Sequence, residues 1–348
     1  MNNLVLIGNG FDLAHELKTK YSDFILSYLN NSFQSISASN GYYEDGLITI
    51  QSPRVHRLNI FNSIASIFDI VKANDIKFEF KHSFLKKIVD SSIESNWVDI
   101  ESKYYSELIG LFRRLENIKM DSHKSIDSEL VKLNNCFELI KEELIKYLLV
   151  VDSKNKIKSK EIDNLLIENL QLDKLIQPTL FLNFNYTSTI DMYVDLKGSL
   201  GLSIVNIHGK LNDTNNPIIF GYGDEMDTYY EKIERLNTNE FLRNIKSFWY
   251  FKTNNYKTLT NFIDAEDYTV YILGHSCGLS DRILLNSVFE HPNCRLIKIF
   301  YYQKSETEND YFEKTQEISR HFKSTNKEKM RNKIMSFPEC KPLTKFQK

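Results

Sequence analysis

The sequence predicts an α/β protein, a wound parallel sheet interrupted by a large helical insert, and three observations carry that prediction. Leu4-Val5-Leu6-Ile7 is a continuously apolar run ending in Gly8-Asn9-Gly10, the pattern of a strand buried on both faces that leaves through a tight turn. Short apolar runs recur between 179 and 300 with helical stretches between them. From about 57 to 175 the apolar residues repeat with a helical period instead, so the first strand must join the later set across that insert.

Taken in order, Leu17, Tyr21, Phe24, Ile25, Tyr28 and Leu29 fall at helical spacing, with Thr19 placed to cap the main part of the helix. Residues 34 to 56 are polar and turn-rich, and the strand signal at Leu47 to Ile50 predicts a loop or hairpin. The insert carries four stripes, around Phe61 to Phe68, Phe84 to Val89, Trp97 to Leu108 and Leu130 to Leu148. Lys154, Lys156, Lys158 and Lys160 read as a solvated linker. Strands follow at Thr179 to Leu182, Ser203 to Ile207, Pro217 to Phe220, Thr269 to Leu273 and Arg295 to Phe300, with helices over 228 to 263 and 281 to 290. The expected division is an α/β nucleotide-binding domain of 1–56 and 176–322, a helical insert of 57–175, and a basic C-terminal tail of 323–348, a surface helix ending in a frayed terminus.

Composition narrows the function. In 348 residues, 44 Lys+Arg against 46 Asp+Glu leave a net charge of −2, too little cationic excess for a dedicated nucleic-acid binder. The apolar start of the chain lacks a basic flank and a cleavage pattern, and no run approaches the ~20 residues that span a bilayer, so no membrane partner is expected. Cys136, Cys277, Cys294 and Cys340 form no paired motif, which predicts neither a disulfide framework nor a structural zinc and suits a reducing cytoplasm.

Loops that leave the carboxyl ends of parallel strands line one crevice, where ligands bind. The chemistry-bearing residues fall in those loops: Gly8, Asn9, Gly10 and Asp12; Asn183, Asn185 and Tyr186; His208-Gly209; Gly221, Gly223 and Asp224; Gly274, His275, Ser276 and Asp281. Each alone has a bland explanation in a turn or a cap. Gly8-x-Gly10 can bring backbone N–H groups to a phosphate, but the third glycine of the dinucleotide fingerprint is missing. Glu101 lies at spacings of 4, 3 and 4 with Trp97, Tyr104 and Leu108, which puts a carboxylate on an apolar stripe, as a structural anchor or a site residue.

Gly8-Asn9-Gly10-Phe11-Asp12-Leu13-Ala14-His15, Thr19-x-Tyr21-Ser22-Asp23-Phe24, Trp97-Val98-Asp99-Ile100-Glu101, Asn183-Phe184-Asn185-Tyr186-Thr187, Ile207-His208-Gly209, Phe220-Gly221-Tyr222-Gly223-Asp224 and Gly274-His275-Ser276-x-Gly278-x-Ser280-Asp281 together resemble the motif series of the bacteriophage abortive infection family AbiH. The resemblance runs from residue 4 to about 300 and departs at Glu16, where the family pattern has Gly after the His. More remotely, the series is similar to the sirtuin-like NAD-binding fold, with counterparts at Gly8 to Gly10, Asn185, His208-Gly209, Pro217 to Gly221 and Gly274 to Ser276. That likeness implies a Rossmann-like sheet that binds NAD as substrate. The paired-Cys zinc module of the deacylating sirtuins is absent, so NAD cleavage is implied rather than protein deacylation.

On this reading Asn185 holds the ribose and water, His208 is the base and Asp12 orients water or a ribose hydroxyl. Gly8, Asn9, Gly10, Asn183, Tyr186, Gly221, Gly274, His275, Ser276 and Asp281 surround the nucleotide. Two other classes compete. Asp12, His15, His208, Asp224, His275 and Asp281 offer ligands to a metal-dependent phosphoesterase or nuclease, although their spacing does not favour one. A nucleotide-binding sensor without turnover would need the same loops. The phage-derived trigger and any homo-oligomeric state are left open by the sequence.

Overall fold

Six strands in one sheet make up the framework that the apolar runs predict. The computed structural model of the chain describes residues 1–53, 60–95, 99–117, 123–170, 177–194 and 201–344. The chain divides into two units: Met1–Leu17, Val151–Thr228 and Ile245–Lys348, and separately Lys18–Val150 with Tyr229–Asn244.

The first unit holds β1 (Asn2–Ile7), β2 (Thr179–Asn183), β3 (Leu202–Asn206), β4 (Tyr268–Leu273), β5 (Cys294–Tyr301) and β6 (Lys341–Pro342), in the order β3-β2-β1-β4-β5-β6. Every pairing is parallel. β1 therefore sits between β2 and β4, although more than 170 residues separate it from β2 in sequence. Both faces of the sheet are covered, which is why its central strands are continuously apolar. Leu4, Leu6, Leu180, Leu182, Val270 and Ile272 pack with Leu259, Ile263, Leu285 and Val288 on one face. Val5, Ile7 and Phe181 pack with Ile162, Leu166 and Ile190 on the other.

Three expectations are corrected in this unit. Residues 217–220 form no strand: Pro217 has no N–H to give a ladder, and Ile219 N donates to the His208 carbonyl instead, at 2.8 Å. The tail is not a frayed end as far as residue 344, because β6 pairs with β5, Leu343 N donates to the Tyr301 carbonyl, and Cys340 and Leu343 are buried. Lys156 is not a solvated linker residue either; its ammonium lies between Asp152 (2.5 Å) and Ser188 Oγ (2.6 Å) with a side chain 9% exposed.

The second unit starts at Lys18, earlier than residue 57, and it includes Tyr229–Asn244. Its helices include Tyr21–Ala38, Ile64–Ala73, Ser83–Ser95 and Ile100–Asn117. Thr19 is not the cap of the first of these; Lys20 occupies that position and its N–H donates to the Asp23 carboxylate. The expected hairpin is present as Tyr42–Glu44 and Ile48–Gln51, organised by Asp45, whose Oδ1 accepts from the amides of Leu47 and Ile48. A third antiparallel strand, Lys77–Phe80, stands where only helices were expected. Glu101 is buried on its helix beside Ile100 and Tyr104, and Trp97 lies outside the described residues.

Candidate functional site

The register places the ends of neighbouring strands level, with Ile7 opposite both Asn183 and Leu273, and Asn183 opposite Asn206. Side-chain amides then stitch the exits together. Asn185 Nδ2 donates to the Gly8 carbonyl at 3.0 Å, Asn183 Nδ2 donates to Asn206 Oδ1 at 2.8 Å, and Asn183 Oδ1 accepts from Asn185 N at 3.1 Å. Asn183 thus holds the loop rather than facing a ligand with its amide, and Asn185 is committed through its nitrogen.

The glycines after β1 and β4 serve a close approach of two backbones. A Cβ on Gly8 would lie 2.4 Å from His275 Cα, and one on Gly274, whose φ is +72°, would lie 2.2 Å from Phe11 N. Gly8 N donates to the Leu273 carbonyl and Gly10 N to the Gly274 carbonyl, at 3.1 and 2.8 Å. These two amides are therefore engaged, and a phosphate at this loop would need other donors. Asn9 and Ser276 are the exposed members of the two loops.

Asp12 follows directly, inside the short helix Asn9–Leu13. It caps nothing: Oδ2 accepts from Thr187 Oγ1 at 2.6 Å, and the buried Oδ1 has no hydrogen-bond partner among the described residues. Burial disfavours the carboxylate and raises its pKa to about 6, against the lowering effect of Thr187 and Thr189, with Asp152 adding repulsion. A carboxyl that changes charge just below neutrality, with one oxygen unpartnered, is suited to giving or taking a proton.

His208, just beyond β3, is fully enclosed. Phe184 meets its ring edge-on with centroids 5.1 Å apart, and the Tyr250 ring lies parallel at 6.3 Å. Its Nε2 is 3.3 Å from Tyr250 Oη and 3.2 Å from Asp281 Oδ1. Asp281 Oδ1 also accepts from Lys246 Nζ at 2.8 Å, and Lys246 is 1% exposed. Burial lowers the pKa of His208, the Lys246 ammonium lowers it further, and Asp281 opposes them, so the ring is neutral at pH 7. Burial opposes ionisation of Asp281, but Lys246, His208 and His275 hold its carboxyl well below the usual range. Asp281 occupies the N-cap position of helix Arg282–Phe289 without making a capping bond, which argues against its bland explanation.

His275 also packs against Phe184, with centroids 4.1 Å apart. Its Nδ1 accepts from Cys277 N at 2.9 Å, its Nε2 stands 3.6 Å from Asp281 Oδ2, and burial drives its pKa down to about 3. Asp224 pairs with Arg282 at 3.0 Å, Tyr186 Oη donates to the Ile219 carbonyl, and Gly221 is buried. Both ring nitrogens of His15 are engaged, Nδ1 donating to the Phe11 carbonyl and Nε2 accepting from Tyr193 Oη. Among the described residues no three His, Cys, Asp or Glu side chains form a set that could hold a metal ion, and the charge of Asp281 is already met by Lys246.

Sequence reasoning missed Lys246, Tyr250 and Thr187. Thr187 lies within the quoted Asn-x-Asn-Tyr-Thr run, and Lys246 precedes the aromatic run Phe248-Trp249-Tyr250-Phe251, where a lone lysine is the available signal.

The fold is of the mixed α/β class, a six-stranded parallel sheet flanked by helices, with polar side chains gathered at the carboxyl ends of its strands. The chain belongs to the bacteriophage abortive infection AbiH family, whose model matches residues 4–303, and that membership assigns it to abortive infection, an anti-phage defence. No curated protein matches it. Among the described residues no helix is long and apolar enough to cross a membrane.

Proposed function

We propose that the protein is an NAD glycohydrolase of sirtuin-like, Rossmann-like architecture that depletes NAD during infection. One observation carries the reading. A neutral buried histidine and a carboxyl poised near pH 6 stand at the exits of a sheet ordered 3-2-1-4-5-6, the order in which doubly wound sheets take dinucleotides across the point where the order reverses. Asp12 Oδ1, beside the β1 loop and without a partner among the described residues, is an acceptor for a ribose hydroxyl or water.

In the proposed reaction the C1′–N bond breaks and its electron pair leaves on nicotinamide, while a water oxygen bonds to C1′. The water proton passes to His208. Asn185 Oδ1 holds the ribose or the water and Asp12 orients it, a placement that removes translational freedom from the attack. Asn9 and Ser276 offer their side chains to the phosphates from exposed positions, while Gly8, Gly10 and Gly274 shape the loops. Asn183, Tyr186, Gly221, His275 and Asp281 form the surrounding shell.

The test is incubation of the purified protein with NAD and, separately, with single-stranded nucleic acid plus Mg²⁺ or Mn²⁺, followed by chromatography of the products. The reading expects nicotinamide and ADP-ribose with the nucleic acid intact. Binding of NAD without nicotinamide would indicate a sensor, and metal-dependent cleavage a phosphoesterase.

A further inference from the structure

Lys246 lies outside every sequence motif, yet it is among the most buried charged groups described, at 1% exposed. Its backbone is fixed by a parallel bridge between Tyr222 and Ile245 and by donation from Lys246 N to the Tyr222 carbonyl at 3.0 Å. Helix Lys246–Trp249 begins there, so one short segment delivers Lys246 Nζ to Asp281 Oδ1 and, four residues on, Tyr250 Oη to His208 Nε2. Asp281 Oδ1 is thereby shared between an ammonium at 2.8 Å and an imidazole nitrogen at 3.2 Å.

A buried carboxylate needs a counter-charge. With Lys246 removed, the nearest group able to supply one is His208, by taking a proton and becoming imidazolium, and an imidazolium is no base. The other groups facing the pair do not replace the lysine. Tyr250 offers a neutral hydroxyl, His275 is held at Nδ1 by the Cys277 amide, and Lys314 is turned to the His275 carbonyl at 2.6 Å. We infer that Lys246 is a positioning residue for His208: by occupying the carboxylate oxygen they share, it keeps the imidazole uncharged and ready to take a proton. This role rests on the reading of His208 as the base.

The experiment follows the His208 ring by NMR in protein carrying ¹³C-histidine, titrated with pH in the absence of substrate and assigned with a His208→Gln variant. In the wild type the His208 midpoint is expected below the ordinary histidine value of about 6.5. Lys246→Gln, which keeps a hydrogen bond to Asp281 without the charge, is expected to raise the proton affinity of His208 at least tenfold, a shift of about one unit. Lys246→Met is the second variant, with the same expected rise. An unchanged midpoint in a folded variant overturns the inference, whatever the activity. If the wild type releases nicotinamide, the acid limb of kcat/KM should move up with the NMR midpoint. If it releases none, the reading of His208 as base falls, while the titration still decides whether Lys246 sets its charge.

Discussion

Replacing Asp12 by asparagine should make the protein more stable at neutral pH and less active, and the size of the first effect follows from the burial of the carboxyl. In the unfolded chain the group titrates near 3.8, and in the folded protein near 6. Between those values the folded state holds one more proton than the unfolded state, so stability falls as pH rises through this window. The raised group contributes its full share below about pH 3.8 and has lost it above pH 6. A shift of about 2 units at ~1.36 kcal/mol each corresponds to about 3 kcal/mol at pH 7. The side-chain amide of the Asp12→Asn variant carries no such titration, and its carbonyl can still accept from Thr187, whose hydroxyl lies 2.6 Å from Oδ2 in the wild type. Any pH-independent loss from the altered hydrogen bond is on the order of 1 kcal/mol. Urea unfolding of both proteins at intervals from pH 4 to 7 isolates the titrating part: the stability difference should swing toward the variant by roughly 2–2.5 kcal/mol across that range. A difference that stays flat would mean that Asp12 behaves as an ordinary carboxyl, and the argument that it is poised for proton transfer would fail. Stability gained alongside lost nicotinamide release is the behaviour of a functional group held at a cost to the fold.

Two further substitutions test the backbone at the site. Gly274→Ala places a Cβ 2.2 Å from Phe11 N in a residue with φ +72°, so a loss of about 3 kcal/mol or more is expected in unfolding experiments; a loss below about 1 kcal/mol would mean that the two loops are not packed backbone to backbone. Glu16 is exposed and adopts φ +60°. Glu16→Gly relieves roughly 1–2 kcal/mol of left-handed strain against roughly 0.5–1 kcal/mol of added chain entropy, so a net gain of about 0.5–1 kcal/mol should appear as a higher urea midpoint, and a loss would contradict the assignment.

The parts of the architecture legible in the sequence were those with a local signature. β1 could be recognised because a strand covered on both faces cannot alternate, and its exit carried Gly8 and Gly10. That it joins the later strands across the insert follows from its being a short buried strand with no partner in the helical stretch. Lys77–Phe80 leaves no legible signal because four residues amid helical spacing give no period, and Pro217–Phe220 resembles a strand because apolar content does not reveal where backbone bonds go. In the site, Asp12 and His208 could be named, but their environments could not. The hydroxyl partner of the Asp12 carboxyl is 175 residues away, and the lysine that answers Asp281 is 35 residues from it with no motif around it. His208 is enclosed between Phe184 and Tyr250, so an alanine there would open a void, and glutamine is the better probe.

The most direct test of the account is nicotinamide release from NAD by the wild type and by His208→Gln, each shown to be folded by its thermal transition. The account predicts release by the wild type and a loss of about 10²-fold to 10⁴-fold in the variant, the contribution of a general base. Release at the wild-type rate by a folded His208→Gln protein would move the base elsewhere, and no release by the wild type under any nucleotide condition would contradict the proposed activity itself.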